Sequence, residues 1–176
     1  TKSQVSGDAL ADEVSWTFET RRPAVKDSRP RHDDKWIDLK AELFVRFNME
    51  MDPRDARDSM LLEERDLRGA LLGEVSIGVR RAKPAELKAA WPWDEYGDAP
   101  STANVLAVKP ASLKPDHSYR LRLREGLRAA EGKLGLAAER DITFETWYTF
   151  RAAQFPSQAC LPAGFQMAFS NPVRAK

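Results

Sequence analysis

The strongest constraint in this chain is alternation. Apolar residues recur at every second position in a series of short runs, and period two is the signature of a strand with one face buried. Val14, Trp16 and Phe18 alternate with Ser15, Thr17 and Glu19. Leu43, Val45 and Phe47 alternate with Phe44 and Arg46, and Val75, Ile77 and Val79 with Ser76, Gly78 and Arg80. Tyr119, Leu121 and Leu123 alternate with Arg120, Arg122 and Arg124. Ile142 and Phe144 alternate with Thr143 and Glu145, and Leu106 and Val108 form one more short candidate. The 11 prolines fall mostly between these runs, as punctuation. Helix is expected in two places only. Asp52-Pro53 reads as an N-cap with Pro at the first helical position, opening one or two turns through Asp58. Pro84 to Trp91 reads as a second short helix. Many short strands, Pro/Gly turns and little helix predict an all-β sandwich of about seven strands. Its expected core is Val45, Phe47, Val75, Ile77, Tyr119, Leu121, Leu123, Ile142 and Phe144.

Repetition sets the organisation. Thr17-Phe18-Glu19-Thr20 returns 126 residues later as Thr143-Phe144-Glu145-Thr146. Phe47-Asn48-Met49-Glu50-Met51 has a weaker echo 122 residues later in Phe169-Ser170-Asn171-Pro172-Val173. Both landmarks recur in the same order, at about the length of one sandwich domain. The expected division is a C-terminal strand of a preceding domain at 1–22, a complete domain at 23–147 and the N-terminal part of a following domain at 148–176. Such a partial domain cannot bury a core alone.

Leu113-Lys114-Pro115-Asp116-His117-Ser118-Tyr119 leads directly into an alternating strand. The spacing is that of a tyrosine corner, in which the ring enters the core and the hydroxyl bonds backbone a few residues upstream. Pro115 would set the turn and Tyr119 would pin the strand crossing, both structural roles.

Phe47-Asn48-Met49-Glu50-Met51-Asp52-Pro53 resembles the F-N-x-P-M-D-P signature of bacterial immunoglobulin-like domains, with Glu50 where the family usually has Pro. Gly126-Leu127 through Gly132, Leu134 and Leu136, followed by Ile142 to Thr146, is similar to the closing pattern of those domains. Ser15-Trp16-Thr17-Phe18-Glu19-Thr20 is similar to the same ending one domain earlier. The succession resembles the N-terminal, macroglobulin-like region of the bacterial alpha-2-macroglobulin family. That resemblance implies an immunoglobulin-like (macroglobulin-like) antiparallel β-sandwich. It implies a non-catalytic scaffold piece of a large protease-trapping lipoprotein, periplasmic or at the cell surface. The implied partners are neighbouring domains of the same parent chain and the proteases the parent traps. A membrane would be met only through a lipid anchor outside this chain. The thioester motif of that family is absent, since Cys160 is followed by Leu161-Pro162-Ala163.

Composition narrows the function. With 28 Lys+Arg against 27 Asp+Glu, and no strongly charged half, there is no basic stripe and no nucleic-acid partner is expected. One Cys and two His leave little for a zinc site, a disulfide framework or a His-based triad. No cofactor motif and no metal site are expected, and the enzyme reading has no catalytic residues to name. Thr1-Lys2-Ser3 opens without an apolar stretch, so no signal peptide is expected within the sequence. The uncharged run from Ala152 to Val173 carries Pro156, Pro162 and Pro172 and reads as a linker followed by a strand, not a membrane helix.

Other groups are open to two readings. His32-Asp33-Asp34 is a metal fragment or, better, a solvated loop. Trp91-Pro92-Trp93-Asp94-Glu95-Tyr96 either caps an open end of the sandwich or presents Trp91, Trp93 and Tyr96 as a binding platform. The second reading would make the chain a binding or spacer module of a surface adhesin or glycan-binding protein. Arg120, Arg122 and Arg124 are a phosphate contact or a solvated outer face that discourages edge pairing. Cys160 either pairs outside this chain or is a small buried hydrophobe. Glu63-Glu64 and Asp94-Glu95 are neighbours in sequence, so on a strand they point to opposite faces and form no catalytic pair.

Overall fold

The computed structural model describes residues 16–17, 21–92, 100–152 and 169–173. The strands are β1 (Val25–Arg29), β2 (Asp34–Ile37), β3 (Leu43–Phe47), β4 (Met60–Arg65), β5 (Leu71–Val75), β6 (Ile77–Arg81), β7 (Val105–Pro110), β8 (Ser118–Leu123) and β9 (Arg140–Thr146), and alternation marks β3, β8 and β9 most strictly. Among the described residues two short helices interrupt them, α1 (Pro53–Asp58) and α2 (Pro84–Ala90), with one 3-10 turn at Thr102–Asn104.

The strands form two sheets, in the orders β1-β3-β7-β6 and β2-β9-β8-β4-β5. Every pairing is antiparallel except β2 with β9, which is parallel. This is the strand order of an immunoglobulin-like sandwich. The first four-stranded set stands where the fold has A-B-E-D, and β9-β8-β4 stand where it has G-F-C, with β2 and β5 added as edges.

The inward faces make one core, in which Val45, Phe47, Leu62, Leu106, Val108, Tyr119, Leu121, Leu123 and Phe144 are almost fully buried. Each such side chain contributes about 1.5–3 kcal/mol relative to leaving it in water. Val75 and Ile77 pack against this core but are only half-buried. The reason lies in how the run is cut. Val75 to Val79 is not one strand: β5 ends at Val75, Ser76 crosses between the sheets, and β6 begins at Ile77. Alternation survives the crossing because both halves face the same core from opposite sheets.

Both helices follow local chemistry. The Asp52 carboxylate accepts a bond from Arg54 N at 2.8 Å, Pro53 occupies the first turn, and Ser59 N closes the end on Ala56 O. In α2 the Glu86 carboxylate accepts from Lys83 N at 2.8 Å, and the helix stops at Trp91, where the following Pro92 disfavours helical backbone. Leu87 of α2 and Ala82 meet Val105 and Ala107 of β7, with Phe44 and Trp91 packed alongside. Since Leu106 and Val108 face the main core, this second cluster covers the other face of β7. Among the described residues no helix is long and apolar enough to cross a membrane.

The closing pattern after β8 forms a tight loop. Leu127 is buried, Gly126 N donates to Leu136 O and Leu136 N donates to Leu127 O. Gly135 is the residue that makes this closure possible. A Cβ there would lie 2.4 Å from the Gly126 backbone, which no ordinary contact allows.

Candidate functional site

The densest side-chain bonding to backbone lies where the chain enters and leaves the sandwich. Where the chain enters the sandwich, Asn48 follows β3 and reaches back across the incoming segment. Its Oδ1 accepts from Ala24 N at 2.7 Å, its Nδ2 donates to Arg22 O at 2.9 Å, and its own N donates to Ala24 O at 3.1 Å. β1 then pairs with β3 from Val25 opposite Phe47. The rest of the motif continues the same construction. Met51 is buried and its N donates to Ala103 O, after which Asp52-Pro53 starts α1. The Phe47–Pro53 residues thus fasten strand, incoming chain and helix start together. Trp16 and Thr17 are exposed, and the rest of the first Thr-Phe-Glu-Thr strand lies outside the described residues.

The tyrosine corner sits where the chain leaves β9. Tyr119 is fully buried, stacks on Phe144 with ring centroids 5.5 Å apart, and its Oη accepts from Lys114 N at 2.8 Å. Burial pushes its phenol above the usual tyrosine range. Pro115 O is held at 2.6 Å from His117 Nδ1. Thr146, the last residue of β9, donates through Oγ1 to Lys114 O at 2.7 Å, and Asp116 N donates to Trp147 O at 3.1 Å. The corner therefore grips the outgoing chain as well as its own strand.

Beyond Trp147 the chain stays engaged with the corner. Asp116, in left-handed backbone (φ 61°), accepts from Thr149 N at 3.0 Å and also from the Thr149 hydroxyl. The Thr149 bonds hold the Asp116 carboxyl below the usual range. Tyr148 N donates to Asn171 Oδ1 and Asn171 Nδ2 to Tyr148 O, at 3.0 and 2.6 Å. The Tyr148 hydroxyl bonds Glu145, and burial together with that carboxylate pushes it up to about 12.

Glu63 and Glu64 do point apart. Glu63 lies between Arg65 at 2.8 Å and Arg120 at 2.7 Å, with Arg122 at 3.6 Å. Burial would raise its pKa, but the bonds from Arg65 and Arg120 and the charges of Arg120 and Arg122 outweigh that and hold it below the usual range. Glu64 instead takes Lys114 at 2.8 Å and His117 at 3.3 Å, tying β4 to the corner. Arg120 and Arg122 continue the ladder to Asp141 and Glu139. This corrects the expectation of a solvated, edge-protecting arginine face. β8 is an interior strand, its two arginines are spent on neighbours, and Arg124 lies beyond its end.

His32-Asp33 forms a turn whose partner is β9. His32 Nδ1 accepts from Thr143 N at 3.2 Å, Asp33 N donates to Thr143 O at 2.8 Å, and Asp34 accepts from Arg31 N. Among the described residues no group of three or more His, Cys, Asp or Glu could hold a metal ion.

Of the aromatic platform, only Trp91 is among the described residues; Trp93, Tyr96 and Cys160 lie outside them. Trp91 is half-buried. Its indole N donates to Asp27 at 2.7 Å, the Arg29 guanidinium lies 5.2 Å from the ring centroid, and Phe44 meets it edge-on at 6.5 Å. Those contacts seal the cluster under α2. The same residue also borders an apolar cleft of about 360 Å³ with Pro84, Leu87, Pro92 and Pro100.

No family model matches the chain, and no curated protein matches it. Among solved structures, it is similar to CopC from Methylosinus trichosporium OB3b at 13% identity, covering 71% of this chain and 93% of that one with a TM-score of 0.39. It is also similar to the N-terminal part of the bacterial S-layer protein SbsC, at 15% identity and a TM-score of 0.44, covering 76% of this chain and 25% of that one.

Proposed function

We propose that this chain is a non-catalytic scaffold piece of a large bacterial alpha-2-macroglobulin-like protease inhibitor, exported and lipid-anchored through other parts of the parent. The reading starts from the resemblance of Phe47–Pro53 to the domain-opening signature. The observation that carries it furthest is the geometry of those same residues. Asn48 binds the incoming chain at Arg22 and Ala24, which supports the reading of a domain that receives a neighbour. The mechanism is mechanical: rigid joints hold adjacent domains in register, so that bait cleavage elsewhere is converted into closure around the protease. The test is a shielding assay on the full-length parent. After incubation with a protease, the trapped enzyme should keep activity on a small peptide substrate and lose it on a large protein substrate. Equal loss, or no loss, on both substrates overturns the proposal.

The cleft beside Trp91 favours a second reading, a binding module of a surface adhesin or glycan-binding protein. Aromatic faces beside apolar walls suit sugar rings or peptide segments. A glycan array probed with wild type and Trp91→Ala decides it, since binding lost only in the variant supports this reading and no binding by either removes it.

A further inference from the structure

The two joints use the same hydrogen-bond pattern. At the first, Asn48 N donates to Ala24 O, and Val25 pairs with Phe47 one step further in. The Asn48 side chain accepts from Ala24 N and donates to Arg22 O, two residues back. At the second, Ser170 N donates to Arg151 O at 3.0 Å, and Ala152 pairs antiparallel with Phe169 one step further in. The Ser170 side chain accepts from Arg151 N at 2.9 Å and donates to Thr149 O at 2.9 Å, again two residues back. Four relations recur with no change in relative position. Ser170 therefore occupies the place of Asn48, Phe169 that of Phe47, and Ala152 that of Val25.

We infer that residues 149–152 and 169–171 are the opening strand pair of a second sandwich of the same fold, seated on the corner loop of the first through Asp116. The anchorage is specific. Thr149 bonds Asp116 through both its N and its hydroxyl, and Arg151 lies 4.0 Å from the same carboxylate. The pair also carries the beginning of a core. Phe150 and Phe169 stack with centroids 5.2 Å apart, yet Phe150 is 61% exposed. In the first domain the residue equivalent to Phe169 is Phe47, which is 1% exposed because the later strands cover it. The occupant of the Phe150–Phe169 face is accordingly the remaining strands of that second sandwich. A second sandwich held in this way suits any tandem array and does not depend on protease trapping.

The equivalence is tested by exchanging the two clamps. Amide hydrogen exchange on the 176-residue chain should show Arg151 protected, Ser170→Ala should lower that protection by about tenfold, and Ser170→Asn should retain it. Reciprocally, Asn48→Ser should keep the melting temperature of the first domain while Asn48→Ala lowers it. Arg151 exchanging at the random-coil rate in wild type, or Ser170→Asn losing as much as Ser170→Ala, overturns the assignment. In a chain extended through its natural continuation, a second cooperative transition should appear that Phe169→Ala lowers and that leaves the first unmoved. A single transition in the extended chain overturns it too.

Discussion

Tyr119→Phe isolates one hydrogen bond in the corner. The substitution removes only the Oη that accepts from Lys114 N at 2.8 Å and leaves the ring stacked on Phe144. Two terms follow. The net bond is worth about 0.5–1.5 kcal/mol, and a part-buried N–H left without a partner costs about 1–3 kcal/mol when its desolvation is complete. Loop chain can relax to let water reach Lys114 N, so the loss should settle near 1.5 kcal/mol. For a domain of roughly 125 residues this lowers the melting temperature by about 5–8 °C. In urea, at an m-value of about 1.5 kcal/mol/M, the midpoint should fall by about 1 M with the slope unchanged. Tyr119→Leu should cost clearly more, because it also removes the stacked ring from a site with no exposure. A midpoint shift below about 0.3 M for Tyr119→Phe would refute the reasoning, since the loop would then not depend on the corner bond. A change in slope would refute it differently, by showing that the variant alters more than one bond.

Three further outcomes are expected. Tyr119 and Tyr148 both have raised pKa values, from burial in each case, with Tyr148 at about 12. Their contribution is complete below the ordinary tyrosine value of 10.0 and is lost as pH rises through each raised value, about 12 for Tyr148, so urea midpoints should fall above pH 10.0 and less so in Tyr148→Phe. Glu86 is held at about 2 by its bonds to Arg80 and to Lys83 N. Its contribution is present above the ordinary 4.5 and lost as pH falls through about 2, so an acid titration followed by circular dichroism should show a shallower loss in Glu86→Gln. Gly135→Ala forces a Cβ to 2.4 Å from the Gly126 backbone and should cost about 1–3 kcal/mol by thermal melting, whereas Gly73→Ala, with open space around it, should cost far less.

The sequence was most informative where local rules and the fold agree. β3, β8 and β9 alternate strictly and bury every second residue; α1 and α2 announce themselves through Asp52-Pro53 and Pro84. β4 was not legible, because Glu63 and Glu64 are buried on its two faces and their partners come from β8 and from the corner. No period-two pattern survives when carboxylates take core-like positions by pairing. β1 and β2 are short edge segments carrying Lys, Asp and Arg, and their strand character comes from β3 and β9. Phe47-Asn48 stands out as a motif, but the bonds Asn48 makes to Ala24, and those Ser170 makes to Arg151, depend on chain some twenty residues earlier and leave no local pattern. Gly135 carried no signal in the pattern of Gly126, Gly132, Leu134 and Leu136, since its role depends on a backbone nine residues earlier.

The parallel pairing of β2 with β9 has a consequence for a chain whose ends are tethered. Tension on such a tether pulls β2 towards its N-terminus and β9 towards its C-terminus. Two parallel strands drawn in those opposite directions slide past each other, and every bond between them is strained together. An antiparallel pair pulled from one end would peel open bond by bond. The contacts Asp33 N to Thr143 O, His32 to Thr143 N and Trp147 N to Ile37 O are therefore loaded in shear. A string of such units would resist extension at each link before any one of them came apart.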